Sequence, residues 1–175
     1  MLLGPFEYLI RDPDGLEGQK YLILSDTDET IKANETWKML GHMKKGEYDA
    51  LIHAGDYAYN IEDDQGMRGD YFFRDLSRYT SSLPFLGALG NHEHKSNGSL
   101  FNYRFLMPGS TEMFNNSLFS VVRGSLQLTF INYDYFLTYG YDRSTLLKET
   151  AAILSVQNTK IKWRVLVAHR PIYCS

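Results

Sequence analysis

Four short polar stretches of this sequence carry side chains that could bind metal ions. The stretches are residues 25–28, 55–59, 90–93 and 167–171. Their candidate donors are Asp26, Asp56, Asn91 and His169. Each stretch follows an apolar run that is typical of a buried strand. Carboxylate and amide oxygens suit hard cations and imidazole suits zinc, iron and manganese, so the set predicts a site for two metal ions in which Asp56 suits the bridging position.

The segments between these stretches predict an α/β arrangement that would bring the donors together. Apolar runs at 21–24, 50–54 and 84–89 are predicted strands, and helical patterns at 31–45 and 64–79 lie between them. Strands that alternate with helices indicate a parallel sheet with right-handed crossovers. Ligands of such sheets bind beyond the carboxyl ends of the strands, which is where the donors lie in the sequence.

The second part of the sequence predicts a different sheet. Runs at 119–122 and 126–131 flank an Arg-Gly-Ser turn, which is a hairpin signal. A predicted helix at 144–156 and a predicted strand at 163–168 follow, so this sheet is only begun within the chain. At the other end, residues 1–15 are interpreted as a possible remnant of an upstream β domain or linker, and residues 16–175 as one domain.

The composition excludes several classes of protein. The chain has 175 residues, of which 43% are hydrophobic and 22% charged, and these values are ordinary for a globular domain. A formal net charge of -3 argues against a nucleic-acid partner, and no apolar run is long enough to predict a membrane span. The start of the chain lacks the pattern of a signal peptide. Cys174 is the one cysteine, which excludes an internal disulfide and a cysteine-based zinc cluster.

Several motifs together resemble the metallophosphoesterase superfamily, and most closely the purple acid phosphatases. They are Gly-Asp-x-x-Tyr at 55–59, Gly-Asn-His-Glu at 90–93, Tyr-Arg-Phe-Leu-Met-Pro-Gly at 103–109 and His-Arg-Pro-Ile-Tyr-Cys-Ser at 169–175. The resemblance extends from about Lys20 to Ser175. It implies an α/β/β/α sandwich of two mixed sheets with the second sheet incomplete, and it identifies residues 16–175 as a catalytic domain that lacks its C-terminal part.

The resemblance also implies a role for each site residue. The implied metal ligands are Asp26, Asp56, Tyr59, Asn91 and His169. Asp26 and Tyr59 would bind a ferric ion, Asp56 would bridge it to a divalent Zn, Mn or Fe ion, and the other two would bind that second ion. His92 would contact the substrate phosphate or help to protonate the leaving alkoxide. The implied reaction is hydrolysis of small phosphate monoesters, of the acid phosphatase type, by a metal-bound hydroxide.

Two departures from the family pattern leave alternatives open. The family's Gly-Asp-x-Gly is Ser-Asp-Thr-Asp at 25–28, where Asp28 is either a helix N-cap residue or an oxygen donor to metal. The family's final Gly-His-x-His motif does not occur in this sequence. Because that motif supplies one histidine to each metal ion, each ion would lose one ligand. The alternatives are therefore a truncated non-catalytic fragment or pseudoenzyme, and a general metallophosphoesterase acting on phosphodiesters in which Tyr59 only packs.

The remaining polar and aromatic residues near the motifs are given structural roles. His53 and Tyr57 are predicted to be packed in the core, Glu93 to support its loop by hydrogen bonds, and His94 to lie in the loop beside the site. The family resemblance also implies a secreted or lysosomal protein. Three Asn-x-Ser/Thr sequons agree weakly with that location, at Asn34, Asn97 and Asn115.

Overall fold

The fold is seen in a computed structural model of the chain. The structure describes residues 18–28, 33–44, 46–109, 116–133 and 142–171, except for the side chains of 95–97. The predictions for residues 1–15, for the sequon at Asn115 and for Cys174 lie outside these residues. None of the helices in the described part of the chain is both long and apolar enough to span a bilayer.

In the described residues of the first half there are three short strands and two α-helices. They are β1 (Tyr21–Leu24), α1 (Asn34–Gly41), β2 (Ala50–His53), α2 (Met67–Thr80) and β3 (Phe85–Gly87). The strands form a parallel sheet in the order β1-β2-β3, with Leu22 opposite Leu51 and Ile52 opposite Leu86. All four residues of the central strand β2 are buried. Because the strands are parallel, the turns after them lie at the same edge of the sheet.

The second half forms another sheet and a covering helix. After helix α3 (Ser99–Arg104), the elements within the described residues are β4 (Leu118–Arg123), β5 (Leu126–Ile131), α4 (Arg143–Ser155) and β6 (Trp163–Val167). Strand β5 is central, with β4 antiparallel on one side and β6 parallel on the other. This sheet is therefore mixed, whereas the first sheet is parallel throughout its described strands. The predicted hairpin turns at Gly124, which has φ +56°.

The two faces of the second sheet pack against different partners. Leu128 and Phe130 of β5 belong to the large core that also contains side chains of the first sheet, α1 and α2. Ile131 packs in a smaller cluster with Leu118 and with Leu146 of α4. The alternation follows from the two-residue period of a strand. These contacts confirm the predicted α/β fold with two sheets.

Two predicted helix boundaries differ from the structure. The helix expected to begin at residue 64 begins at Met67, because Asp63–Gly66 form a 3-10 turn in which Asp64 has φ +53°. Helix α1 begins at Asn34, after Ala33, and residues 29–32 lie outside the described part of the chain, so the N-cap alternative for Asp28 stays open. The carboxylate of Asp28 lies 3.0 Å from the guanidinium of Arg68 in α2.

Candidate metal centre

The turns that carry Asp26 and Asp56 are joined backbone to backbone. The amide of Asp26 donates to the carbonyl of Gly55 at 3.1 Å, and the amide of Thr27 donates to the carbonyl of Asp56 at 3.1 Å. A third bond, from Ala58 to Thr27, is 2.8 Å long. Both aspartates adopt the left-handed conformation, with φ +52° at Asp26 and +57° at Asp56. Such backbone geometry costs free energy for a residue with a side chain, and strained positions of this kind cluster at functional sites.

Two glycines let the turns after β2 and β3 approach one another. A Cβ atom added to Gly55, which has φ +100°, would lie 2.7 Å from the backbone nitrogen of Gly90. A Cβ atom added to Gly90 would lie 2.6 Å from the backbone nitrogen of Asp56. Both distances are too short for a side chain, so the Gly-Asp and Gly-Asn pairs of the motifs are required by the close approach of the backbones.

The buried carboxylate of Glu93 holds these two turns together. It accepts the amides of Asp56 at 2.9 Å, Tyr57 at 2.8 Å and Gly90 at 2.9 Å. Burial raises the pKa of Glu93 to about 7, although the three amide hydrogen bonds act in the opposite direction. These bonds agree with the predicted supporting role of Glu93, and they show that it acts on the turn of Asp56 as well as on its own loop.

Donor atoms from three predicted ligands converge at this edge of the sheet. Ligand atoms of Asp26, Asp56 and His169 all lie within 4.8 Å of one another. His169 Nε2 is 3.3 Å from an oxygen of Asp56 and 3.2 Å from the side-chain oxygen of Asn91. The tertiary structure therefore brings together residues from near both ends of the chain. Carboxylate oxygens, an amide oxygen and an imidazole nitrogen form a donor set that fits divalent or trivalent first-row metal ions.

The orientation of the His169 ring leaves its Nε2 atom available to bind a metal ion. Its Nδ1 lies 3.0 Å from the carbonyl oxygen of Ala54, which can only accept, so Nδ1 carries the proton in that bond. Nε2 then points at Asp56 and Asn91. Metal-binding histidines commonly donate their other ring N–H to a backbone carbonyl in this way, because the bond fixes the tautomer.

When His169 is protonated at both ring nitrogens, its charge and that of Asp56 stabilise one another. Burial by itself would raise the pKa of Asp56, but the hydrogen bonds from His169 and from the amide of His92 outweigh it and the pKa is lowered. The hydrogen bond to Asp56 likewise raises the pKa of His169, against the effect of burial. Asp56 is therefore ionised at neutral pH, as a metal ligand must be.

Tyr59 lies against Asp26 at the exposed side of the site. Its hydroxyl donates to one oxygen of Asp26 at 3.2 Å, and Ser25 Oγ lies 2.5 Å from the other oxygen. Burial and the charge of Asp26 both raise the pKa of Tyr59. Its hydroxyl thus keeps its proton in this arrangement, and coordination as a phenolate would replace the hydrogen bond to Asp26.

His92 borders the site and is oriented by Asn60, which sequence reasoning missed. His92 Nδ1 is 2.9 Å from the side-chain oxygen of Asn60, and Nε2 is 3.7 Å from an oxygen of Asp56. The ring also packs edge-on against Tyr59, with centroids 4.8 Å apart. The amide oxygen of Asn60 accepts from Nδ1, which leaves Nε2 facing the site. No motif marked Asn60, whose position depends on its backbone φ of +96°.

Three other residues discussed in the sequence analysis are buried in the interior of the fold. Tyr57 is fully buried and donates to the carbonyl of Ala88 at 2.8 Å, as its predicted packing role requires. His53 is also fully buried and stacks on Tyr57, with ring centroids 4.0 Å apart. His94 is buried with its Nε2 3.3 Å from the side-chain oxygen of Asn132, so it lies in the interior of the fold.

The chain is similar in sequence to known phosphoesterases. The family model described as calcineurin-like phosphoesterase matches residues 19–175. The chain is 32% identical over 156 residues to acid phosphatase type 7 of Danio rerio, covering 81% of this chain and 34% of that protein. It is 31% identical over 138 residues to acid phosphatase type 7 of Homo sapiens, covering 75% of this chain and 31% of that protein. The chain thus spans about a third of the length of these relatives.

A solved structure shows the same fold. The purple acid phosphatase isolated from yellow lupin (Lupinus luteus) seeds superposes with a TM-score of 0.66 at 19% identity, over 87% of this chain and 30% of that chain. The match of the family model to nearly all of the chain, together with the relatives above 30% identity, establishes the ancestry. This chain belongs to the calcineurin-like phosphoesterase family.

Proposed function

We propose that this chain takes part in the hydrolysis of phosphate monoesters at a site for two metal ions. The observation that carries the proposal is the convergence of Asp26, Asp56 and His169 within 4.8 Å at the edge of the parallel sheet. A second observation supports it: the side chain of His92, which the family resemblance assigns to the substrate, borders the same site. The names of the acid phosphatase relatives favour a monoester over other phosphate substrates.

Each proposed ligand occupies a place in the structure that suits its role. Asp26 and Tyr59, which are hydrogen-bonded to one another, would hold a ferric ion. Asn91 and His169, with 3.2 Å between their donor atoms, would hold a divalent Zn, Mn or Fe ion. Asp56 has an oxygen near His169 and lies beside Asp26, so its carboxylate suits the bridge. Two bound metal ions would supply an acidified water and positive charge for the phosphoryl oxygens.

The residues of the chain add orientation and proton transfer. Asn60 fixes the ring of His92 so that Nε2 faces the site. A protonated Nε2 could donate to a phosphoryl oxygen or to the oxygen of the leaving group. Glu93 and the two close glycines hold the turns of Asp56 and Asn91, so the donors need little rearrangement when substrate binds.

The test compares two chromogenic substrates after metal loading. The chain is reconstituted with iron and zinc and assayed with p-nitrophenyl phosphate, a monoester, and bis(p-nitrophenyl) phosphate, a diester. We expect faster hydrolysis of the monoester, and a fall in kcat of about 100-fold in His92→Asn with its metal content retained. The matched control is His42→Asn, because His42 is an exposed histidine that follows α1 and should leave kcat unchanged.

Other results would redirect or overturn the proposal. Faster hydrolysis of the diester would favour a general metallophosphoesterase. Stoichiometric metal binding without hydrolysis of either ester would identify this chain as non-catalytic. The proposed iron ligand Tyr59 is tested separately by visible absorption spectroscopy. The absorption band of the iron-loaded protein should disappear in Tyr59→Phe. A band that persists in this variant would exclude phenolate coordination by Tyr59.

A further inference from the structure

A buried hydrogen bond beside the candidate metal centre joins the turn of Asp26 to the strand that precedes the turn of Asp56. The hydroxyl of Thr27 is 2.6 Å from Nε2 of His53, the last residue of β2. Thr27 follows Asp26 in the chain, and it is only 3% exposed. His53 lies three residues before Asp56 and is fully buried. The bond therefore connects the turn of one proposed ligand to the strand that leads into the turn of another.

The hydrogen bonds of His53 define its tautomer. The amide of Gly55 donates to His53 Nδ1 at 3.3 Å, so Nδ1 must be the unprotonated nitrogen. In the neutral ring the proton then lies on Nε2, which donates to the hydroxyl of Thr27. Burial lowers the pKa of His53 to about 3, which keeps the ring neutral and this arrangement intact across the usual range of pH. Stacking on Tyr57 fixes the plane of the ring.

The link acts on the positions of the ligands and touches neither carboxylate. Thr27 pairs with Tyr57 as an isolated parallel bridge, so the turns of Asp26 and Asp56 run side by side just beyond the His53 ring. Before metal binds, the carboxylates of Asp26 and Asp56 repel one another, and this repulsion favours separation of the turns. The buried hydrogen bond between Thr27 and His53 opposes that separation, because it joins the turn of Asp26 to the strand that leads into the turn of Asp56.

We propose that the Thr27–His53 pair is a positioning element, which holds the turns of Asp26 and Asp56 at the spacing required for metal binding before the metal arrives. This inference rests on the metal-binding part of the proposed function, and it does not depend on turnover. Neither residue contacts the metal or the substrate in this role. Residues that orient metal ligands without binding the metal typically change metal affinity by about 10–100-fold when they are replaced.

The principal experiment measures Zn²⁺ affinity by titration calorimetry. Thr27→Val keeps the shape of the side chain and removes the hydroxyl, and we expect about 10-fold weaker Zn²⁺ binding. Thr27→Ser keeps the hydroxyl and should bind Zn²⁺ within about threefold of the wild type. The matched control is Thr80→Val, because Thr80 is another buried threonine, and its hydroxyl donates to the carbonyl of Leu76 in α2 at 3.0 Å. Its removal should lower stability without changing Zn²⁺ affinity.

The outcomes separate this inference from the proposed function. Equal Zn²⁺ affinity in Thr27→Val and wild type would overturn the positioning role alone, and so would an equal loss in Thr80→Val. Absence of Zn²⁺ binding by the wild type would overturn both the metal site and this inference. Recovery of affinity in Thr27→Ser would assign the effect to the hydroxyl.

A second measurement uses the wild type and so applies even if Thr27→Val does not fold. In the metal-free protein the amides of Asp26 and Thr27 should already be protected from hydrogen exchange, because both donate across the two turns. The nitrogen chemical shifts of His53 should show a protonated Nε2 and an unprotonated Nδ1. Protection that appears only after Zn²⁺ is added, or the opposite tautomer, would contradict the proposal.

Discussion

The carboxylate of Glu93 accepts the backbone N–H of Asp56 at 2.9 Å, although the two residues belong to turns after different strands. The same oxygen accepts the N–H of Gly90, and the other oxygen accepts that of Tyr57. One buried side chain thus satisfies three amides that would otherwise be left without partners where the two turns meet. This arrangement explains why the Gly-Asp and Gly-Asn-His-Glu motifs have to occur together.

Replacement of Glu93 by glutamine should destabilise the fold even in the absence of metal. The amide has one accepting oxygen, so at least one of the three N–H groups would face an NH2 group. A buried donor left unsatisfied costs about 1–3 kcal/mol, and we expect a loss of that size in the free energy of unfolding from urea denaturation. Glu35→Gln is the control, because Glu35 is exposed on α1 and its replacement should change stability by less than about 0.5 kcal/mol. Equal stabilities of the two variants would show that the Glu93 bonds contribute nothing.

Replacement of Asp56 by asparagine should remove the stabilisation that metal gives to the fold. At a Zn²⁺ concentration about 100 times the Kd, binding stabilises the native state by about 2.7 kcal/mol. For a chain of this length that corresponds to a rise in Tm of about 5–10 °C. Thermal unfolding with and without Zn²⁺ should show this rise in the wild type and in Asp70→Asn, which changes an exposed carboxylate, but not in Asp56→Asn. A preserved rise in Asp56→Asn would exclude the bridging role.

His53 should make the fold less stable as the pH falls from 6.5. Burial lowers its pKa from 6.5 to about 3, so the unfolded chain takes up a proton in this range and the folded chain does not. The contribution of neutral His53 to the free energy of unfolding is complete well above pH 6.5. At pH 5 about 2 kcal/mol of that contribution is lost. The measurement is the free energy of unfolding of wild type and His53→Gln at pH 8 and pH 5. The gap between the two proteins should narrow by about 2 kcal/mol at the lower pH.

The comparison with His53→Gln isolates this histidine from other groups. Glu93 titrates in the opposite sense, because its raised pKa makes the folded chain less stable as the pH rises above 4.5. Glu93 is present in both proteins, so its contribution cancels in the difference between their free energies of unfolding. A constant gap between pH 8 and pH 5 would mean that His53 accepts a proton in the folded state as readily as in the unfolded state.

Replacement of Asn60 by alanine should lower turnover without weakening metal binding. Asn60 contacts His92 through its side-chain oxygen and is not among the converging metal donors. Loss of this bond frees the His92 ring to rotate, and we expect kcat for p-nitrophenyl phosphate to fall about 10-fold with an unchanged Zn²⁺ affinity. Asn158→Ala, at an exposed loop position, is the control. Weaker Zn²⁺ binding in Asn60→Ala would place Asn60 in the metal site instead of behind His92.

The sequence by itself determined the elements of the fold and the set of candidate donors. The apolar runs and the turn motifs mark Asp26, Asp56, Asn91 and His169 at strand ends, because burial and glycine-dependent turns leave local signals in the chain. The contact of Asp28 with Arg68 could not be predicted, because the two residues lie 40 positions apart and leave no local pattern.

Only the tertiary structure decided how the donors are held. The parallel register of β1 and β2 brings Thr27 beneath the site onto His53, and the close approach of Gly55 and Gly90 brings Glu93 under three amides. The contact of Asn60 with His92 depends in the same way on a single left-handed turn. These contacts join residues from separate turns, and their distances follow from the packing of the whole sheet, which no local spacing in the sequence encodes.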